Sequence, residues 1–470
     1  MPRHLLAVDA GTTGVTVQAV DRRGRVLRSA DRDFRQRYPR PGWVEHDAEE
    51  IWRVTRRLLR SVAGDPASVA AIGLTNQRET VVVWDRDTGR PVAPAIVWQC
   101  RRTAPECDRL KRRGAEPLVR RRTGLVLDPY FSATKLRWIL DHVRPRGRLA
   151  FGTIDTWLLW NLTGGRVHAT DVTNASRTML FDIDRREWSD ELLRLFGIPR
   201  ALLPEVRPSA GGFGVTDRRV LGAEIPITGI AGDQQAALFG QDCVRPGSLK
   251  ITYGTGCFLV LNTGKRRVNS RHGLITTLAC GPKGEPVYAL EGSVFIAGAA
   301  VQWLHEALGI ARGSAVTVPS TGGVYFVPAF AGLGAPYWDA DARGVICGLT
   351  RGSGRPEIAR AALESIAYQA RDVVEAMEKD AGSRIRELRV DGGAVVNEFL
   401  MQFQADILGA RLVRPRNIET TSLGAARLAG LAAGFEMDKL APDRVFSPKM
   451  PKRERDDLYA GWKAAVTRAR

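Results

Sequence analysis

Along this chain, short apolar runs stop abruptly in polar or glycine-rich turns, and the pattern recurs in both halves. Leu5 to Val8 is continuously apolar, as a strand buried on both faces would be, and it ends in the carboxylate of Asp9. Gly11-Thr12-Thr13-Gly14 then turns into a second strand over Val15 to Val20, and Asp21-Arg22-Arg23-Gly24 turns again. Asp47-Ala48-Glu49-Glu50 reads as a capping box for a helix with Ile51, Trp52, Leu58 and Leu59 on its apolar side. Val69 to Leu74 is a strand, followed by six polar residues, Thr75 to Thr80, before the apolar run Val81 to Trp84. Midway, Ile225 to Gly240 reads strand, turn, helix, with Asp233-Gln234-Gln235 at the junction. Ser248 to Tyr253, the turn Gly254-Thr255-Gly256 and the return strand Cys257 to Leu261 echo residues 5 to 20, so the two halves are expected to share one plan. Arg389 to Ala394 is a third strand running into glycines, whereas Thr170 to Arg177 reads as a loop.

Composition narrows the class. At 470 residues the chain exceeds what one core normally accommodates, which predicts two domains. No run approaches the roughly 18 apolar residues of a membrane span, and no signal segment precedes Leu5, so a cytoplasmic protein without stable membrane association is expected. Six scattered cysteines without a C-x-x-C pair argue against a zinc site or a disulfide framework. The net charge of +18 is spread along the chain with no basic tail, which favours anionic substrates over nucleic acid.

Three stretches carry candidate chemistry. Asp233 follows a strand's carboxyl end, where ligands bind in open α/β sheets, although aspartate also caps helices there. The hydroxyls and backbone N–H groups of residues 11 to 14 suit a phosphate, yet no G-K-[ST] follows, so this is not a Walker A loop and a plain hairpin turn is the competing reading. Arg78 and Glu79 offer a donor and an acceptor to a polyol hydroxyl, or form a solvated turn.

Tyr130 to His142, YFSATKLRWILDH, and Gly344 to Glu364, GVICGLTRGSGRPEIARAALE, look like the two signature segments of the FGGY carbohydrate kinases. The resemblance covers essentially the whole chain and is strongest to the members that phosphorylate glycerol. It implies an α/β protein of two domains of related topology, with the actin-like ATPase (ribonuclease H-like) fold around a central cleft. It implies domains over 1–245 and 246–440, and residues 441–470 read as a charged surface appendage. It also implies ATP-dependent phosphorylation of glycerol to sn-glycerol 3-phosphate, with Asp233 as general base and Mg-ATP between the domains. Glycerol is implied against Arg78, Glu79, Trp98, Tyr130, Asp233, Gln234 and Phe258. The ATP phosphates are implied at Thr12, Thr13, Gly14 and Thr255, the nucleoside at Gly298, Gln302, Gly393 and Asn397, and Mg²⁺ at Asp9. Homodimer and homotetramer both remain open. This chain departs from the family's usual Asp-Gln-Gly-Thr-Thr-Ser-Ser-Arg loop at Ala10, Gly14, Val15 and Thr16, so the arginine near the phosphates is missing. Two further readings stand beside this one: the same fold acting on another polyol or a ketose, and an actin-like nucleotide switch that phosphorylates nothing.

Overall fold

Apolar runs too short for helices become the strands of two separate sheets in a computed structural model, which describes residues 3–311, 317–339, 341–439 and 441–470. The strands that build the first sheet are β1 (His4–Ala10), β2 (Gly14–Val20), β3 (Val26–Asp33), β4 (Val69–Asn76) and β5 (Ile227–Gly232). Their order is β5-β4-β1-β2-β3, with β1, β4 and β5 parallel and β1-β2-β3 antiparallel. Leu5, Leu6, Ala7 and Val8 are buried to the last atom, as expected of a strand covered on both faces. The covering helices are Ala48–Val62 and Thr420–Ala432. The second approaches so closely that a Cβ on Gly73 of β4 would lie 2.1 Å from Ala425 O, which leaves glycine the residue that fits.

The second sheet repeats that wiring. Its strands are β6 (Leu249–Tyr253), β7 (Cys257–Gly264), β8 (Pro286–Val294), β9 (Glu387–Asp391) and β10 (Arg411–Pro415). They include the order β8-β7-β6-β9-β10, with β6 and β7 antiparallel and β6, β9 and β10 parallel. Read from the first hairpin outward, this is the order of β3-β2-β1-β4-β5, so the echo between residues 5–20 and 249–264 is topological.

Chain order and packing units do not coincide. Residues up to Val244 form one unit together with Thr276–Tyr288 and Thr420–Lys439, while Arg245–Ile275, Ala289–Glu419 and 441–470 belong to the other. The charged segment 441–470 is not a surface appendage. Its helix, Lys452–Ala469, buries Tyr459, Trp462, Ala465 and Val466 in the second unit's core, and the Trp462 indole N–H donates to the buried Asp372 carboxylate at 2.8 Å. The apolar positions recur at three- and four-residue spacing beneath a charged outer face.

Candidate active site

The register of the three parallel strands gathers the first unit's candidate side chains at one sheet end. Asp9 pairs with Thr75 across β1 and β4, and Thr75 with Ala231 across β4 and β5. The chain leaves β4 into Gln77, Arg78 and Glu79, and leaves β5 at Gly232 into the helix Asp233–Gly240. Asp9 lies one residue from the carboxyl end of its strand, and Gln77, Arg78, Glu79 and Asp233 emerge just beyond theirs.

Asp233 is the first residue of its helix and not the cap: Gly232 occupies the cap position and contributes no side-chain bond. The Asp233 carboxylate stays partly exposed, accepts the Gln234 N–H at 2.7 Å and meets the Arg78 guanidinium at 3.1 Å. Arg78 is buried, and its stem occupies the space beside Gly232, where a Cβ would lie 2.7 Å from Arg78 Cγ and Cδ. Its Nη1 donates to Gln235 Oε1 at 3.2 Å.

From Arg78 a chain of contacts runs through the polyol candidates. Glu79 is fully buried, takes a left-handed backbone (φ 60°) that a non-glycine residue rarely adopts, and accepts from Arg177 Nε at 2.6 Å. The Arg177 guanidinium lies 5.7 Å from the Tyr130 ring centre, and Tyr130 meets Trp98 edge-on at 5.5 Å. Lys135, buried within the YFSATK segment, donates to the carbonyls of Pro129, Tyr130 and Phe131 at 2.6–2.9 Å; burial pushes its ammonium down to about 8.

The turn after β1 is held from behind. Gln77 Nε2 donates to Gly11 O at 2.9 Å, Gln36 Nε2 to Thr12 O at 3.0 Å, and the Phe34 N–H to Thr13 O at 3.1 Å. Gly14 sits against β3, where a Cβ would lie 2.9 Å from Arg32 O, so any side chain here would press on backbone. Thr75 Oγ1, beside Asp9 in the register, is buried with no hydrogen-bond partner, and Asp9 itself is partly exposed. A carboxylate and a spare hydroxyl oxygen fit the taste of a hard cation for oxygen. Among the described residues, no group of three or more His, Cys, Asp and Glu side chains gathers to hold a metal.

In the second unit, the Gly254–Gly256 turn is bound to the start of the helix Gly298–Leu308, through Ala297 N–H to Thr255 O at 2.9 Å and Gly298 N–H to Gly254 O at 3.1 Å. Gly393 and Asn397 follow β9, which neighbours β6 in parallel. Thr255, Gly298, Gly393 and Asn397 thus collect at the carboxyl ends of β6 and β9. Asn397 caps the helix Glu398–Leu408 by accepting the Leu400 N–H, and Gln302, exposed one turn beyond Gly298, donates to Glu306. Phe258 lies on β7, half-buried.

Sequence reasoning missed the layer behind these groups. The stretch read as a loop, 170–177, holds a strand, Ala169–Asp171, and a helical turn, Val172–Ala175. Thr173 Oγ1 accepts the Gly232 N–H at 2.9 Å, Asn174 and Asn76 exchange amide bonds at 3.0 and 3.1 Å, and Asp171 caps the turn. Beneath them Asp155 is pushed up to about 6 by burial and by the Asp171 charge. Arg177 had one signal, as the sole charge between Asp171 and Asp182.

Comparison with known proteins divides the chain once, in sequence order. Residues 4–240 match the N-terminal domain, and residues 249–433 the C-terminal domain, of the FGGY family of carbohydrate kinases. The chain is 56% identical over 489 residues to Glycerol kinase 2 of Thermotoga maritima, covering 99% of each chain. It is 58% identical to the glycerol kinase of Symbiobacterium thermophilum, covering 99% of this chain and 98% of the other. A crystal structure of Plasmodium falciparum glycerol kinase with ADP superposes with a TM-score of 0.90 at 36% identity, over 100% of this chain and 98% of that one.

Proposed function

The chain belongs to the FGGY family of carbohydrate kinases, and from that premise we propose that it transfers the γ-phosphoryl group of ATP to a terminal hydroxyl of glycerol, giving sn-glycerol 3-phosphate. The observation that carries the reading is the Asp233 carboxylate, partly exposed and held at 3.1 Å by a buried arginine at the ends of three parallel strands. Relatives named glycerol kinase at 56% and 58% identity support glycerol as the acceptor.

Asp233 acts as general base: one carboxylate oxygen takes the hydroxyl proton as the hydroxyl oxygen attacks phosphorus. Arg78 fixes the rotamer of that carboxylate, so that an oxygen faces the attacking hydroxyl. Glu79 accepts from a second glycerol hydroxyl, with Gln234 beside the base. Trp98 and Tyr130, crossed edge to face, give the carbon backbone an apolar wall, and Phe258 has the same role in the second unit. Thr12, Thr13, Gly14 and Thr255 receive phosphate oxygens, and Gly298, Gln302, Gly393 and Asn397 the nucleoside. Phosphoryl transfer proceeds through a loose transition state, so most of the rate comes from positioning and from neutralising phosphate charge. Asp9 would hold Mg²⁺, which would supply part of that neutralisation.

ATP turnover measured with and without glycerol tests the assignment. ADP release should depend on glycerol and match glycerol 3-phosphate formed. Equal ADP release without glycerol would instead identify a nucleotide switch, and a larger kcat/KM for a ketose would move the acceptor.

A further inference from the structure

Trp98 belongs to two sets of contacts at once. One face of its environment is the polyol wall, where it meets Tyr130. On the other, its indole N–H donates to Thr12 Oγ1 at 3.0 Å, inside the turn assigned to phosphate. Its own backbone N–H donates to Thr80 Oγ1 at 3.3 Å; Thr80 in turn donates to Gln77 Oε1 at 2.9 Å, and Gln77 Nε2 grips Gly11 O. His46 completes the frame: its Nε2 lies 2.6 Å from Gln36 Oε1 and its Nδ1 3.3 Å from Gln77 Nε2. The turn's backbone carbonyls are therefore tied down on the sheet side, while Thr13 is exposed on the other.

A threonine hydroxyl has one proton to give and two lone pairs to fill, whereas an indole N–H can only donate. Once Trp98 occupies a lone pair of Thr12 Oγ1, the hydroxyl proton must point elsewhere, and the polarity of that hydroxyl is set. We propose that Trp98 is a positioning residue coupling the polyol pocket to the phosphate turn: it orients the Thr12 hydroxyl as a donor toward a nucleotide phosphate oxygen. A polyol seated against the indole restrains the ring and so restrains the donor; by linkage, nucleotide on the turn restrains the polyol wall in return. The inference rests on the reading of residues 12 to 14 as a phosphate site.

A double-mutant cycle tests it. Trp98→Phe keeps an aromatic wall and removes the N–H; Thr12→Val removes the hydroxyl and keeps the shape; Thr12→Ser keeps the hydroxyl. KM for ATP and for glycerol are measured for each single variant and for Trp98→Phe combined with each Thr12 change, together with ADP binding by calorimetry without glycerol. Trp98→Phe should raise the ATP KM and the ADP Kd by roughly tenfold, the scale of a hydrogen bond to a charged group, and raise the glycerol KM less. Thr12→Val should show a similar nucleotide loss, and Trp98→Phe should add almost nothing in its background, while costing the full factor in the Thr12→Ser background. Losses that multiply in the Trp98→Phe/Thr12→Val pair, or a Trp98→Phe enzyme altered only in glycerol KM, overturn the coupling and leave the phosphate assignment intact. A Thr12→Val enzyme with normal nucleotide binding overturns both.

Discussion

At the scale of single residues, Asp233 and His46 show how position decides what an ionisable group contributes. Asp233→Asn preserves an oxygen for Arg78 and, because Gly232 holds the cap position, removes no helix cap. It cannot take a proton, so kcat should fall by at least ~10²-fold at saturating substrates, with glycerol binding little changed. A variant retaining more than about a tenth of wild-type kcat would count against a general base. His46 is buried between Gln36, Gln77 and the Phe34 ring, and loss of solvent lowers its pKa to about 4 from 6.5. The native imidazole stays neutral while the unfolded one takes up a proton below 6.5. Stability that is present above pH 6.5 is therefore lost as the pH falls toward 4, by roughly 3 kcal/mol from this group alone. Denaturant unfolding of wild type and His46→Gln at pH 7, 5.5 and 4.5 should show a shallower acid slope in the variant; parallel slopes would mean that His46 titrates normally in the fold. The sequence singled out Asp233, Arg78 and Glu79 because three charges stood at the ends of apolar runs. Nothing local marked His46 or Thr173, whose partners Gln77 and Gly232 lie 31 and 59 positions away.

At the scale of elements, the long apolar strands and their turns were legible, since burial on both faces leaves an uninterrupted hydrophobic run. Short elements were not: a three-residue strand and a one-turn helix at 169–175 carry polar side chains that bond to distant strands, so no period exposes them. The helix Ser132–His142 shows the same limit. Its preceding residue offers no side-chain cap, and Lys135 instead satisfies three carbonyls of the segment bearing Tyr130. Lys135→Met fills the space but leaves those carbonyls without donors, at about 1–3 kcal/mol for each group left buried and unbonded. The variant should unfold at lower denaturant, and its glycerol KM should rise more than its ATP KM, because the loosened segment carries the polyol wall. Equal changes in the two KM values would indicate a purely structural lysine.

At the scale of the whole molecule, the chain completes its first unit late. The helix Thr420–Ala432 covers β1, β4 and β5, packs on the helix that begins with Asp233, and hydrogen-bonds Thr228 Oγ1 to Ala429 O at 2.9 Å. Its Gly424 lies so near that helix that a Cβ would sit 1.8 Å from Ala236 O, so no other part of the chain substitutes for it easily. A polypeptide ending at residue 244 contains every side chain that the first unit would contribute to the proposed site, yet it lacks one face of the sheet that aligns them. Leu5, whose Cδ1 would lie 2.9 Å from a Cβ on Gly430, and Ala231, which packs with Leu428, would lose their cover, and burying a leucine side chain is worth about 1.5–3 kcal/mol. We expect the 1–244 polypeptide to lack a cooperative thermal transition and to show no fixed near-ultraviolet circular dichroism. Joining residues 276–288 and 420–439 to it through flexible linkers should restore both, since these are the remaining pieces of that unit. A sharp transition from 1–244 alone would mean that the sheet end carrying Asp9, Arg78 and Asp233 is organised without its last helix, and that the late segment serves some purpose other than building the site.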